Sequence, residues 1–161
     1  MEIDMVKIIA VGNPYYGDDG VGAAVLTRIR EESLFPNAEL IDAQTDSLSL
    51  VEHFTNDGLH VIIDAAKMGL PPGGVARFLP DEVSQRIRWD RLSLHGFGLA
   101  ETLELARRID KVPERLVIIG VEPEIVEIDQ GLSNSVAAAI PEILASIEAE
   151  VQSYESDHSD H

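Results

Sequence analysis

The sequence predicts an α/β fold. Helices lie on both faces of a mostly parallel five-stranded sheet that carries one antiparallel edge strand. Three observations predict this arrangement. Short apolar runs alternate with helically spaced apolar residues along the chain, the pattern of a parallel sheet covered on both faces. Carboxylates recur just past the ends of those runs. One connection, Pro71-Pro72-Gly73-Gly74, is too short for a helical crossover, so the strand after it runs antiparallel to a neighbour, near an edge.

The elements follow in order. Lys7 to Val11 is the first strand, with Ile8-Ile9-Ala10-Val11 reading as buried. Val21, Val25, Leu26 and Ile29 mark a helix. Glu39-Leu40-Ile41 is a second strand that ends at Asp42. Leu48 to Phe54 is a short helix with Asp46 or Ser47 as its N-cap. His60-Val61-Ile62-Ile63 is a third strand, ending at Asp64. Val75 to Leu79 is the fourth, closed by Pro80. Leu99, Leu103, Ala106 and Ile109 mark another helix. Leu116 to Val121 is the fifth strand. Val136, Ile140, Ile143, Leu144, Ile147 and Val151 form the last helix, which Pro141 is expected to kink or restart. A single domain is expected over residues 1–152. The polar, acidic stretch 153–161 is expected to fray.

Composition narrows the function. A chain of 161 residues is long enough to bury a core without a metal or disulfide staple. It has no cysteine, which removes disulfides, thiolate metal sites and cysteine nucleophiles. The formal net charge of -17 makes nucleic acid and anionic membrane poor partners and a cationic peptide or protein an easier one. Solubility alone is the simpler explanation of that charge. Residues 1–7 carry Glu2 and Asp4 and do not read as a signal peptide. No run approaches the roughly 20 apolar residues of a membrane helix. A cytoplasmic monomer is expected.

The most informative segment is Gly12-Asn13-Pro14-Tyr15-Tyr16-Gly17-Asp18-Asp19-Gly20-Val21-Gly22. Glycine-rich strand-to-helix loops commonly bind phosphate through backbone N–H groups and the helix dipole. Here two adjacent carboxylates occupy the helix start, where they repel an anion and attract a cation. The glycine spacing also departs from the dinucleotide pattern. In open α/β sheets ligands bind beyond the carboxyl ends of the strands. Asp18, Asp19, Asp42, Asp64 and Glu122 all fall there. His95 lies in a loop just before a helix. Two carboxylates and one imidazole make a three-ligand site that suits nickel, zinc, iron or manganese. Each residue also has a plain structural use. Asp18 or Asp19 suits a helix N-cap, Asp42 and Asp64 suit turns, and His95 suits a hydrogen-bonded loop. His53 reads as a solvated helix residue. His60 sits at the opposite end of the sheet.

Several segments, taken in order, resemble the hydrogenase maturation endopeptidases. They are Gly12 to Gly22, Ile63-Asp64-Ala65, Met68-Gly69-Leu70-Pro71-Pro72-Gly73, Leu94-His95-Gly96-Phe97-Gly98-Leu99, Gly120-Val121-Glu122-Pro123 and Gly131-Leu132-Ser133. The likeness runs from about Lys7 to Val151. It implies metal coordination by Asp19, Asp64 and His95, which match the family's ligand positions by motif. It also implies the activity: removal of a C-terminal extension from the large-subunit precursor of a nickel-containing hydrogenase once nickel is inserted. Nickel then arrives with the substrate, and other divalent ions are expected to occupy the site in vitro. One departure stands out. Where family members often carry two glycines before a Thr or Ser, this chain has Ala43 and Gln44 before Thr45.

The sequence has no Gly-x-Ser-x-Gly elbow and no His-Glu-x-x-His helix. Metal-assisted hydrolysis is therefore the economical mechanism, with Asp19 or Asp64 doubling as general base. Two other classes compete. A receiver-like phospho-acceptor also places acids after its first and third strands, but it needs a lysine after its last strand, where Glu122-Pro123 stands here. A non-catalytic nickel-binding chaperone would share the ligands without the cleavage.

Overall fold

The computed structural model describes residues 6–90 and 98–158. Among these residues six strands and five α-helices follow one another. They are β1 (Val6–Val11), α1 (Val21–Glu31), β2 (Glu39–Gln44), α2 (Ser47–Glu52), β3 (Leu59–Lys67), β4 (Val75–Phe78), α3 (Val83–Arg86), β5 (Trp89–Asp90), α4 (Leu99–Arg108), β6 (Arg115–Val121) and α5 (Asn134–His158). Five strands lie in the order β2-β1-β3-β6-β4, and the two-residue β5 pairs with β3 off that path. The β1, β2, β3 and β6 ladders are parallel, and β4 runs antiparallel to β6 at the edge. The expected architecture is therefore the observed one.

Side-chain alternation along the strands builds two cores. Ile8, Ala10, Val61, Ile63, Val117 and Ile119 face one side and pack with Val21, Val25, Leu26 and Ile29 of α1 and Ile140, Ile143 and Ile147 of α5. Ile9, Val11, Ile62, Leu116 and Ile118 face the other side and pack with Leu50 and Val51 of α2 and Leu99, Leu103 and Ala106 of α4. The unbroken apolar runs of β1, β3 and β6 are what a sheet buried on both faces requires. Burying each large aliphatic side chain contributes about 2 kcal/mol, so both faces drive the fold.

The structure departs from the expected elements at several points. β3 does not end at Asp64 but continues to Lys67, because β5 pairs Asp90 with Ala66 and Trp89 with Lys67 and takes up the backbone hydrogen bonds. A two-residue strand leaves no period in a sequence, so β5 was not foreseen. The four-residue α3, and the 3₁₀ turn Pro80–Glu82 that leads into it, were also not foreseen. Pro141 does not restart the last helix, which runs from Asn134 to His158. Pro141 and Ala137, whose carbonyl loses its helical partner, are both exposed, so water can replace that bond. The stretch from Ser153 to His158 does not fray but stays helical. Tyr154 is buried and His158 Nε2 lies 2.7 Å from Glu114 Oε2.

Candidate active site

The first loop turns back on itself immediately after β1. Gly12 adopts a φ of 132°, and a Cβ there would lie 2.2 Å from the Asp19 carbonyl oxygen, so only glycine fits. Asn13 Oδ1 accepts from the Tyr15 amide at 2.9 Å, closing an Asx turn. The chain then enters a 3₁₀ turn, Gly17–Gly20, that feeds α1. Gly20 is the N-cap of α1 and no side chain caps it, so neither aspartate serves as its cap.

The two adjacent aspartates have different surroundings. Asp18 is fully buried, and its carboxylate accepts from Glu124 N (2.8 Å), Ile125 N (2.8 Å), Ser133 N (2.7 Å) and Ser133 Oγ (2.8 Å). It ties the first loop to the segment that follows β6. Backbone bonds reinforce the tie: Asp18 N to Ile125 O at 2.7 Å, Gly17 N to Gln130 O at 3.0 Å and Asp129 N to Tyr15 O at 2.8 Å. Asp19 is also buried, but it turns toward the strand. Its Oδ2 accepts from the Asn13 amide at 2.7 Å.

Asp64 is buried within β3, in register with Val11, the residue before Gly12. A Cβ on Gly12 would lie 3.2 Å from Asp19 Oδ1, so the Asp19 carboxylate lies beside the turn that leaves β1. Strand alternation turns Asp64 the same way as Ile62, toward the face covered by α2 and α4. The chain leaves β5 beside Ala66 and re-enters at Gly98, just before α4. His95 lies between these points, outside the described residues. Among the described residues, no group of three or more His, Cys, Asp or Glu side chains is arranged to hold a metal.

The remaining candidates act structurally. Asp42 is exposed and accepts from Gln44 N at 3.0 Å in an Asx turn. Glu122 is buried and accepts from Met68 N (2.8 Å) and Leu70 N (3.2 Å), fixing the exit from β3. The departure at Ala43 and Gln44 is absorbed locally. Gln44 takes a left-handed φ of 53°, and its carbonyl accepts from Gly12 N at 2.8 Å. His53 is the C-cap of α2 and half-buried rather than a solvated mid-helix residue. His60 is buried at the amino end of the sheet, where desolvation first and nearby Lys7 second push its pKa down to about 4. The fixing role of Asp18 was not legible in the sequence. Ser133 was visible only as part of a motif, with no hint that it meets a residue over a hundred positions earlier.

A family model described as hydrogenase maturation protease matches residues 24–150. The chain belongs to the hydrogenase maturation protease family. It is 33% identical over 125 residues to the hydrogenase expression/formation protein HupD of Thiocapsa roseopersicina, an alignment covering 77% of this chain and 56% of that one. This chain therefore spans little more than half the length of that relative. Hydrogenase 2 maturation protease of Escherichia coli K12 is 27% identical over 143 residues, covering 88% of this chain and 87% of that one. Among solved structures, the E. coli hydrogenase maturating endopeptidase HybD superposes with a TM-score of 0.79 over 93% of each chain. At 24% identity that likeness establishes the fold. The matched span contains the later motifs, from Ile63 to Ser133, and begins just after the first loop. Among the described residues no helix is long and apolar enough to cross a membrane.

Proposed function

We propose that this chain is an endopeptidase that removes the C-terminal extension of a nickel-containing hydrogenase large-subunit precursor after nickel insertion. Nickel on the substrate is read by Asp19, Asp64 and His95. The observation that carries this reading is the division of labour in the first loop. Asp18 is consumed by four structural hydrogen bonds, whereas Asp19 is held by the Asn13 amide beside the turn that leaves β1. A nickel ion at this site supplies Lewis-acid chemistry to the scissile carbonyl or to a water. The chain's own part is to orient two buried carboxylates, one of which takes the proton from the attacking water. The Asn13 N–H aims Asp19, and the β1–β3 ladder fixes Asp64. Burial keeps bulk water from competing for them.

The receiver-like alternative loses support from the sheet. A receiver fold is a five-stranded parallel sheet, and here the last strand in the order is antiparallel. The test is the mass of a nickel-loaded precursor before and after incubation with this protein. Loss of the C-terminal extension supports the reading, and metal-free precursor should be spared. Tight binding with no change of mass would instead make this chain a nickel-binding chaperone.

A further inference from the structure

The segment after β6 does more than complete the first loop. Tyr16 and Ile128 form an isolated antiparallel bridge, and the Asp129 amide donates to the Tyr15 carbonyl. Cross-strand partners share a face, so Ile128 stands beside Tyr16, and the Asp129 hydrogen bond holds Tyr15 against the same segment. Tyr15 is 70% exposed and Ile128 is 59% exposed, the former being the most exposed large apolar residue among those described. Large apolar side chains held rigidly at the rim of a site mark a surface that a partner covers. Their backbone is held by this bridge and by the Asp129–Tyr15 hydrogen bond. The rim is therefore preformed and adds little ordering cost to binding.

Charge identifies the occupant. Asp42, Asp46, Glu124, Glu127 and Asp129 are exposed on the loops at this end of the sheet. Neither the first loop (12–20), nor the β2 exit (42–47), nor the segment 122–133 contains a lysine or arginine. Among the described residues the cations near this end are Lys67, the last residue of β3, and Arg88, just before β5, both outside these three loops. We infer that Tyr15, Tyr16 and Ile128 form the docking surface for the precursor polypeptide, and that the precursor meets it with an apolar side chain flanked by positive charge. This rests on the proposed endopeptidase reading. The apolar contact supplies the hold, and the acidic rim supplies orientation and a faster encounter.

The test measures binding and cleavage of nickel-loaded precursor separately. Tyr15→Ala combined with Ile128→Ser should weaken binding and raise KM by roughly tenfold or more, with kcat changed less than threefold. Ile109→Ser, an equally exposed apolar change at the far end of α4, serves as control and should alter neither. For the wild type, kcat/KM should fall as salt rises from low to physiological ionic strength. The triple change Glu124→Gln, Glu127→Gln, Asp129→Asn should flatten that dependence. Unchanged binding and KM in the Tyr15/Ile128 variant, with cleavage intact, would overturn the docking surface and leave the endopeptidase reading standing. Binding that is lost in that variant, by a wild type that never cleaves, would keep the surface and overturn the peptidase. A wild type that neither binds nor cleaves overturns both.

Discussion

At the carboxyl end of the sheet the buried polar groups include Asp18, Asp19, Asp64, Glu122 and Ser133; at the amino end they include Lys7 and His60. Lys7 Nζ donates to the His53 carbonyl at 2.7 Å, and His60 Nε2 accepts from the Thr55 amide at 3.2 Å, so both tie α2 and the turn after it to the sheet. At the carboxyl end Asp18 and Glu122 tie loops together in the same way, through four and two hydrogen bonds, and Asp19 accepts from the Asn13 amide beside the turn that leaves β1. Burial of a charge is therefore weak evidence of function by itself. What separates the two ends is the kind of group buried: carboxylates at one, a lysine and a histidine at the other.

That contrast can be broken at several points. The largest effect is expected from Asp19→Asn. The amide keeps an oxygen for the Asn13 N–H but is a poor cation ligand, so precursor processing should fall on the order of 1,000-fold. The melting temperature should hold within about 2 °C. A variant that processes normally, followed by mass spectrometry, would remove Asp19 from the site.

Asp18→Ala should show the opposite profile. It strands three backbone amides and a hydroxyl in a buried place, and stability should drop by about 4 kcal/mol by denaturant titration. If Asp18→Ala is as stable as the wild type yet inactive, the assignment of the two aspartates is reversed.

The amino end predicts an acid limb. His60 stays neutral in the folded protein down to about pH 4 but titrates near 6.5 when unfolded. Its contribution is present above pH 6.5 and is lost as pH falls from there toward 4, about 3 kcal/mol in all. His60→Gln should flatten this part of the stability profile. The same limb persisting in that variant would assign it to other groups.

The smallest effect is at the end of α5. Glu114, first through its hydrogen bond, raises the His158 pKa. This contribution is present below the ordinary histidine value and fades as pH rises through the raised one. Amide exchange in the last turn of α5 should accordingly quicken relative to the helix centre between pH 6 and 8.5. No pH dependence in that ratio would show that Tyr154 packing alone holds the turn.

The sequence by itself determined the layered α/β fold and its strand polarity. Buried parallel strands leave unbroken apolar runs, amphipathic helices leave a 3.6-residue period, and Pro71-Pro72-Gly73-Gly74 left no room for a crossover. It also placed Asp18, Asp19 and Glu122 beyond the strand ends, because topology sends every β-to-α exit to one side of the sheet. It could not divide Asp18 from Asp19. They are adjacent and chemically identical, and only Glu124, Ile125 and Ser133, more than a hundred residues away, distinguish them. Nor could it show that β3 runs past Asp64, since the hydrogen bonds that extend it come from two residues of β5. Local periods report burial, but the partner of a particular hydrogen-bonding group is chosen by the closed fold, where residues remote in sequence first meet.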